Sequence, residues 1–159
     1  VYTAGQMQEM LNLRGIVPPG PVVILGSGDL GLIMASHLAV CGISVTLIEQ
    51  RATCGGLWRN QRCLASPFVK LICQTTITEI RGEKRIENVL LENGEIIPCR
   101  TLLIAVGLKP ERTLIENLGV ADWLHLCGNC RRIQPMLETV VLDGAEAGEN
   151  ACRKWRGSE

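Results

Sequence analysis

A glycine-rich turn between an apolar strand and an amphipathic helix constrains the fold of this chain more than any other feature. Residues 22–25 (Val-Val-Ile-Leu) form the kind of short apolar run that makes a buried parallel strand. Residues 29–41 carry apolar side chains at helical spacing, and Gly42 follows them. Residues 44–48 predict a second strand. Two parallel strands joined by a helix make a βαβ unit with a right-handed crossover, so we expect an α/β fold.

The other segments extend this unit to a Rossmann-type three-layer fold: a parallel sheet, helices, an antiparallel β-meander and a C-terminal helix. The sequence Glu92-Asn93-Gly94-Glu95 is a hairpin turn signal inside the meander. The remaining predicted elements are a short helix within 1–15, a loop over 51–67 with one helical turn, a strand over 68–73, the meander near 74–99, a strand over 101–106, and helices over 111–118 and 133–155.

The turn itself has the pattern G-x-G-x-x-G. Residues 26–31 are Gly26-Ser27-Gly28-Asp29-Leu30-Gly31. In a dinucleotide site the first glycine permits the sharp turn, the second lets the backbone approach a diphosphate, and the third lets the helix pack on the strand. Free amides and the positive end of the helix dipole then face the phosphates. The alternative is a glycine-rich turn that binds no ligand.

An acidic residue ends the second predicted strand. Glu49 lies 18 residues after Gly31, where a carboxylate accepts hydrogen bonds from the adenosine ribose. Because an acid repels a 2′-phosphate, Glu49 favours NAD over NADP, and the nearby Arg51 softens that preference. Gln50 and Arg51 belong to the same predicted site, and Gly107 is expected to line the cleft at the carboxyl end of the 101–106 strand.

With these motifs, the chain resembles the FAD/NAD(P)-dependent pyridine nucleotide-disulphide oxidoreductase superfamily, and most of all its middle, nicotinamide-binding domain. Glycines 26–31 resemble the second dinucleotide fingerprint of these enzymes. The resemblance implies that Gly128 and Asn129 belong to a late segment that touches FAD, although many relatives have Asp at the position of Asn129. The other matching pieces are the connector from Ala4-Gly5 to Pro19-Gly20, the loop Gly55-Gly56-Leu57 with Arg59-Asn60 and Cys63-Leu64, and the strand and turn Thr101–Pro110.

The resemblance implies a domain organisation and a function. Residues 1–20 are expected to be a connector from a missing flavin domain, 21–120 an NAD(P)-binding Rossmann domain, and 121–159 a return segment with a C-terminal helix. The implied function is to bind NAD, with NADP less favoured, and to present its nicotinamide for hydride transfer to or from FAD in the full-length enzyme. No side chain of this chain is expected to act as a catalytic acid, base or nucleophile.

Two other functions stay open at this point. The chain could be a non-catalytic scaffold or interface module of a larger oxidoreductase. It could also be a minimal FAD-binding domain, because the fingerprint, the 101–106 strand and the Cys127-Gly128-Asn129 segment match the three flavin-contacting elements of such a domain.

Composition and charge restrict the classes of partner that this chain can bind. The chain has 16 basic and 16 acidic residues, so it lacks the basic excess of a nucleic-acid-coating protein, and its 3% aromatic residues are too few for a base-stacking surface. No apolar run approaches the ~20 residues that span a bilayer. A neutral chain has little charge repulsion against self-association, so a homo-oligomer or partner subunit is compatible with it. Without a recognisable leader we expect a cytoplasmic location with reduced thiols.

Eight cysteines and two histidines are the remaining candidates for chemistry. Cys127-Gly128-Asn129-Cys130 is a C-x-x-C, which could be a redox dithiol or half of a zinc site, or Cys127 could simply be a packed residue. A complete zinc site needs two more ligands, and no second C-x-x-C occurs, so we expect no metal. His37 and His125 have no catalytic partner at a telling spacing. We expect Cys41 and Cys73 to pack as small hydrophobes.

Overall fold

The structure is a computed structural model that describes residues 1–119, 121–134 and 136–156, without the side chains of residues 155 and 156. It divides into two compact units, a first unit of residues Val1–Gly107 and a second unit of residues Leu108–Glu159. In chain order the elements are β1 (Tyr2–Thr3), α1 (Ala4–Arg14), β2 (Val22–Leu25), α2 (Asp29–Val40), β3 (Val45–Ile48), a 3-10 helix (Asn60–Ala65), β4 (Val69–Ile72), β5 (Ile77–Arg81), β6 (Asn88–Leu91), β7 (Ile96–Pro98), β8 (Thr101–Ile104), α3 (Thr113–Leu118), a 3-10 turn (Gly128–Cys130) and α4 (Leu137–Arg156).

The first unit is built on a five-stranded sheet with the order β1-β8-β2-β3-β4, in which all pairs are parallel. The apolar run of β2 lies at the centre of this sheet and is buried on both faces. Strands β5, β6 and β7 form a separate antiparallel sheet, whose turn after β6 is closed by the amide of Gly94 donating to the carbonyl of Leu91. The predicted α/β fold with a meander is therefore confirmed.

Alternating side chains of the parallel sheet supply two apolar cores. Val22 and Ile24 of β2 pack in one core with α1 and α2, while Val23, between them, packs in the other with the meander residues Val89 and Leu91. Successive side chains of a strand point to opposite faces, so the helices cover one face of the sheet and the meander covers the other. The predicted three-layer arrangement is present, and the carboxyl edge of the sheet is left for a ligand.

Strand β1 was not expected from the sequence. It has two residues, too few to show an alternating pattern, and it forms because Tyr2 and Thr3 pair with Leu103 and Ile104 of β8. Thr3 then caps α1: its hydroxyl accepts from the amide of Gln6, and the Gln6 side chain accepts from the Thr3 amide. This capping box sets the helix start within the predicted 1–15 segment.

Two other expectations need correction. The C-terminal helix begins at Leu137 rather than near residue 133, in line with the restriction that Pro135 places on the backbone of Gln134.

Cys41 is exposed after the end of α2, and Cys73 is only half-buried, whereas Cys63 and Cys99 are the buried thiols. Burial raises the pKa of both the Cys63 and the Cys99 thiol, so they remain protonated packing groups.

The second unit consists of α3, the 3-10 turn and α4, with a buried carboxylate, Asp143, on α4. Several of its large apolar side chains are more than half exposed, among them Leu114, Trp123, Leu137, Val141 and Leu142. Within the residues that the structure describes, every helix is too short or too polar to cross a lipid bilayer.

The packing of α2 on β2 predicts that Gly31→Ala destabilises the fold. A Cβ on Gly31 would overlap the carbonyl oxygen of Gly26, which is backbone and has little freedom to move. We expect a loss of roughly 1–3 kcal/mol in the free energy of unfolding, the usual cost of overpacking, measured by urea denaturation.

Gly5→Ala is the matched control. Gly5 lies in α1, where a Cβ meets nothing within 4 Å, so alanine should stabilise by about 0.5–1 kcal/mol. Equal urea midpoints for the Gly31→Ala variant and the unmodified protein would contradict the close approach of α2 to the turn.

Candidate functional site

A cavity of about 490 Å³ opens at the carboxyl edge of the parallel sheet. Its walls come from the turn after β2, the residues after β3 and β8, and the segment between β4 and β5. The lining residues are Leu25, Gly26, Gly28, Glu49, Gln50, Arg51, Thr76, Ala105, Val106 and Gly107. The structure thus brings six of the predicted site residues together in one cavity: Gly26, Gly28, Glu49, Gln50, Arg51 and Gly107.

The three fingerprint glycines differ in what surrounds them. A Cβ on Gly26, whose φ is 103°, would lie 2.5 Å from the carbonyl oxygen of Ala105, and one on Gly31 would overlap the Gly26 carbonyl. A Cβ on Gly28 would meet nothing within 4 Å. The protein's own packing therefore requires glycine at 26 and 31, whereas Gly28 borders open space in the cavity.

Helix α2 points its N-terminus at this space. Gly28 is the residue before its first turn and has extended backbone (φ −66°, ψ 175°), and no side-chain hydrogen bond caps the helix end. The first amides of an α-helix have no carbonyl partners within the helix, and the dipole adds positive potential there. A helix end of this kind offers an anion both hydrogen-bond donors and positive potential.

Ser27 is completely buried and joins three segments of the chain. Its hydroxyl donates to Glu49 Oε2 at 2.5 Å, and its amide donates to the same oxygen at 3.0 Å. The hydroxyl also accepts from the amide of Gly55 at 3.0 Å. Ser27 therefore holds the turn after β2 against both the end of β3 and the loop that follows it.

Asp29, the first residue of α2, makes its contacts with the same loop. Its Oδ1 accepts from the amide of Leu57 at 2.8 Å and from Asn60 Nδ2 at 2.6 Å. Leu30 packs against the apolar core beneath α2. Four residues of the predicted fingerprint, Ser27, Asp29, Leu30 and Gly31, thus shape the cavity from behind rather than line it.

Glu49 is the charged centre of the site. Its residue is 5% exposed, and its carboxylate accepts from Ser27 and from the backbone and side chain of Arg51. The hydrogen bond from the Arg51 side chain, assisted by those of Ser27 and opposed by burial, holds the pKa of Glu49 far below its usual range. Glu49 in turn raises the pKa of Arg51. The carboxylate is therefore ionised at neutral pH and neutralised by its neighbour.

Thr76, Leu25, Ala105 and Val106 line the cavity but were absent from the predicted site. The sequence predicted Ala105 and Val106 as the last residues of the 101–106 strand. In the structure β8 ends at Ile104, and both residues lie in the cavity wall. Thr76 follows a turn after β4 in which Thr75 donates its amide to the carbonyl of Glu49 at 3.2 Å. Thr76 could have been predicted, because residues that follow adjacent parallel strands lie side by side at the carboxyl edge of the sheet.

Gly128 and Asn129 lie in the second unit, in the 3-10 turn. The amide of Gly128 donates to Asp143 Oδ2 at 2.5 Å, and Arg131 pairs with Oδ1 of the same carboxylate at 3.0 Å. Asn129 accepts from the amide of Gln134. Asp143 thus fixes the turn that carries the predicted FAD-contacting residues.

The C-x-x-C surrounds the same turn. Cys127 and Cys130 are both half-buried free thiols, and the Cys130 thiol donates to the Cys127 carbonyl oxygen at 2.9 Å. Among the described residues, no three His, Cys, Asp or Glu side chains gather in a group that could hold a metal ion.

The hydrogen bonds of Glu49 predict a pH-dependent contribution to stability. Glu49→Gln should cost roughly 1–3 kcal/mol at pH 7, because donors of Ser27 and Arg51 lose their charged partner. A carboxyl whose pKa is lowered on folding stabilises the protein above its unfolded-state pKa of about 4.3, and that stability is lost as the pH falls below it. Urea titrations at pH 7, 5 and 3 should show the difference between the two proteins shrinking only below about pH 4.3.

Glu83→Gln, at an exposed position of the meander, is the control for removing a carboxylate. A difference between the Glu49→Gln variant and the unmodified protein that stayed constant from pH 7 to pH 3 would contradict the assignment.

Comparison with known proteins connects this chain to a family. A family model described as "Pyridine nucleotide-disulphide oxidoreductase" matches residues 5–123, which is most of the chain. The chain is 32% identical, over a 168-residue alignment, to an NAD(P)H coenzyme A polysulfide/persulfide reductase of Pyrococcus horikoshii. That alignment covers 91% of this chain and 34% of the relative, so the chain spans about a third of the length of that protein.

Solved structures agree on the fold. A thioredoxin reductase of Lactococcus lactis superposes with a TM-score of 0.65 at 23% identity, covering 83% of this chain and 52% of that one. An FAD-dependent pyridine nucleotide-disulphide oxidoreductase of Desulfovibrio vulgaris gives 0.60 at 19% identity, covering 75% and 32%. The match of the family model over residues 5–123 shows that this chain belongs to the pyridine nucleotide-disulphide oxidoreductase family.

Proposed function

We propose that the first unit binds NAD(H) in the cavity at the carboxyl edge of its sheet and presents the nicotinamide ring to a flavin. Members of this family bind FAD and NAD(P)H. The observation that carries the proposal is the open space at Gly28, at the N-terminus of α2, within the cavity that Glu49 also lines. In this assignment the amides of the first turn of α2 bind the diphosphate.

The charge of the site favours NAD(H) over NADP(H). Glu49 stands at the end of β3 in the cavity wall, where a carboxylate accepts from the ribose hydroxyls and repels a 2′-phosphate. Because the pKa of Glu49 is far below its ordinary value, the carboxylate stays ionised throughout the neutral pH range.

The cavity is built for binding and orientation. Its two ionisable lining residues, Glu49 and Arg51, form an ion pair with an Nε–Oε1 distance of 2.9 Å. Neither is poised to exchange a proton near neutral pH, because Glu49 has a lowered pKa and Arg51 a raised one. The hydride chemistry would belong to the nicotinamide and flavin rings. The chain's own contribution is to hold the dinucleotide and to limit water, through the apolar Leu25, Ala105 and Val106 of the wall.

The flavin side of the reaction needs residues outside the first unit. The exposed apolar side chains of Leu137 and Val141 lie one turn apart on α4, and a flavin-binding part of the enzyme, or a partner subunit, would cover them. This chain spans about a third of the length of the Pyrococcus horikoshii relative, which supports the assignment. Gly128 and Asn129 would contribute to that FAD site.

Gly28→Ala tests the diphosphate site. Because a Cβ at this position meets no protein atom within 4 Å, the variant should fold, with a loss of stability below about 1 kcal/mol from the poorer N-cap residue. The same Cβ would occupy the space of the diphosphate, so we expect the Kd for NADH, measured by its fluorescence, to rise at least about tenfold.

Gly5→Ala, in α1, is the binding control and should leave the Kd unchanged. A parallel titration with FAD separates the two dinucleotide roles. NADH binding that is equally tight in the Gly28→Ala variant would refute the assigned diphosphate position. Saturable FAD binding without NADH binding would favour a minimal flavin domain, and binding of neither dinucleotide would favour a scaffold.

A further inference from the structure

The carboxylate of Glu49 has no acceptor position left for a ligand. A carboxylate offers about four lone-pair sites. Oε1 accepts from the amide and Nε of Arg51, at 3.0 and 2.9 Å. Oε2 accepts from the amide and hydroxyl of Ser27 and from Arg51 Nη2, at 3.0, 2.5 and 3.1 Å. A ribose that binds Glu49 must therefore displace a donor that is already present.

The guanidinium of Arg51 is the donor group that can leave. It places one N–H on each carboxylate oxygen, through Nε and Nη2, and its side chain is 60% exposed. The Ser27 donors are buried, and the Arg51 amide is fixed in the backbone. Because most of the Arg51 side chain is in contact with solvent, it can turn away into water while the buried donors of Ser27 continue to orient Glu49.

If the guanidinium turned away, one acceptor position on each oxygen of Glu49 would become free, and a ribose has two hydroxyl donors to fill them. The 2′- and 3′-hydroxyls of an adenosine ribose form a vicinal diol with two neighbouring O–H donors. A diol can donate one hydrogen bond to each oxygen of a carboxylate, as the Nε and Nη2 groups of Arg51 do now. A 2′-phosphorylated ribose has only one of these hydroxyls, but its phosphate is a strong partner for a released guanidinium.

We propose that Arg51 competes internally with the adenosine ribose for Glu49, and that this competition sets the choice between NAD(H) and NADP(H). The inference rests on the proposed dinucleotide site. Binding of NAD(H) separates the guanidinium from Glu49, which weakens NAD(H) binding. Binding of NADP(H) also separates them but gives the guanidinium a phosphate, which offsets part of the repulsion by Glu49. Arg51 therefore acts on the two coenzymes with opposite sign.

The absence of a side chain at Gly55 leaves the space that the Arg51 guanidinium occupies. A Cβ on Gly55 would overlap the Arg51 guanidinium, with Nη1 at 2.8 Å. The clashing atoms are the far end of a flexible and exposed side chain, so alanine at 55 would push Arg51 off Glu49 without removing its charge. Gly55→Ala thus separates the effect of competition from the effect of charge.

The experiment measures the Kd of NADH and of NADPH by fluorescence for the full chain and its variants at one pH and ionic strength. Arg51→Met removes the donors and keeps an unbranched apolar stem. It should lower the Kd for NADH about two- to tenfold, the scale of the net contribution of one hydrogen bond, and raise the Kd for NADPH about tenfold or more, the scale of a lost charge-assisted hydrogen bond. Gly55→Ala should lower the Kd for NADH without raising that for NADPH.

Arg59→Met is the matched control. Arg59 lies on the same loop and is exposed, but it lines a separate groove beside α2, so its loss should change both Kd values less than twofold. Circular dichroism establishes that each variant is folded. An unchanged or raised Kd for NADH in the Arg51→Met variant, with NADH binding intact in the unmodified protein, would overturn the competition alone. Failure of the unmodified protein to bind either coenzyme would overturn the proposed function as well.

Discussion

The hydrogen bonds between Ser27 and Glu49 hold the parts of the site in place. They join the turn after β2 to the end of β3, and the same Ser27 hydroxyl accepts from Gly55 in the loop beyond. The Ser27 hydroxyl is completely buried, so breaking this connection would leave its donor without a partner. The position of the fingerprint glycines relative to the acid depends on these bonds.

Around this connection the layers of the first unit leave the carboxyl edge of the parallel sheet open. The helices bury one face of the parallel sheet and the meander buries the other, so the cavity forms at the carboxyl edge, where turns rather than regular strands supply the walls. Its two charges neutralise each other, which suits a site that binds and orients a dinucleotide better than one that transfers protons.

Much of this arrangement could be predicted from the sequence, because the features concerned are local. The glycine spacing at 26–31, the β-branched residues of β2 and the Asn93-Gly94 turn each reflect a nearby backbone requirement. Strand β1 and the cavity residue Thr76 depend on pairing with distant segments, so no local pattern marks them. The sequence also could not show that donors occupy every acceptor position of the Glu49 carboxylate, since this requires Ser27 and Arg51 to converge in space.

Strand β1 has a consequence for how the first unit meets its surroundings. The outer edge of a parallel sheet presents unpaired amides and carbonyls that invite another chain to add a strand. Here β1 pairs with β8, and at the opposite border β4 carries the exposed Lys70, whose ammonium lies 3.6 Å from Glu95. The pairing with β1 gives β8 a neighbour on its outer side, and the charge of Lys70 disfavours the addition of another strand at the opposite border.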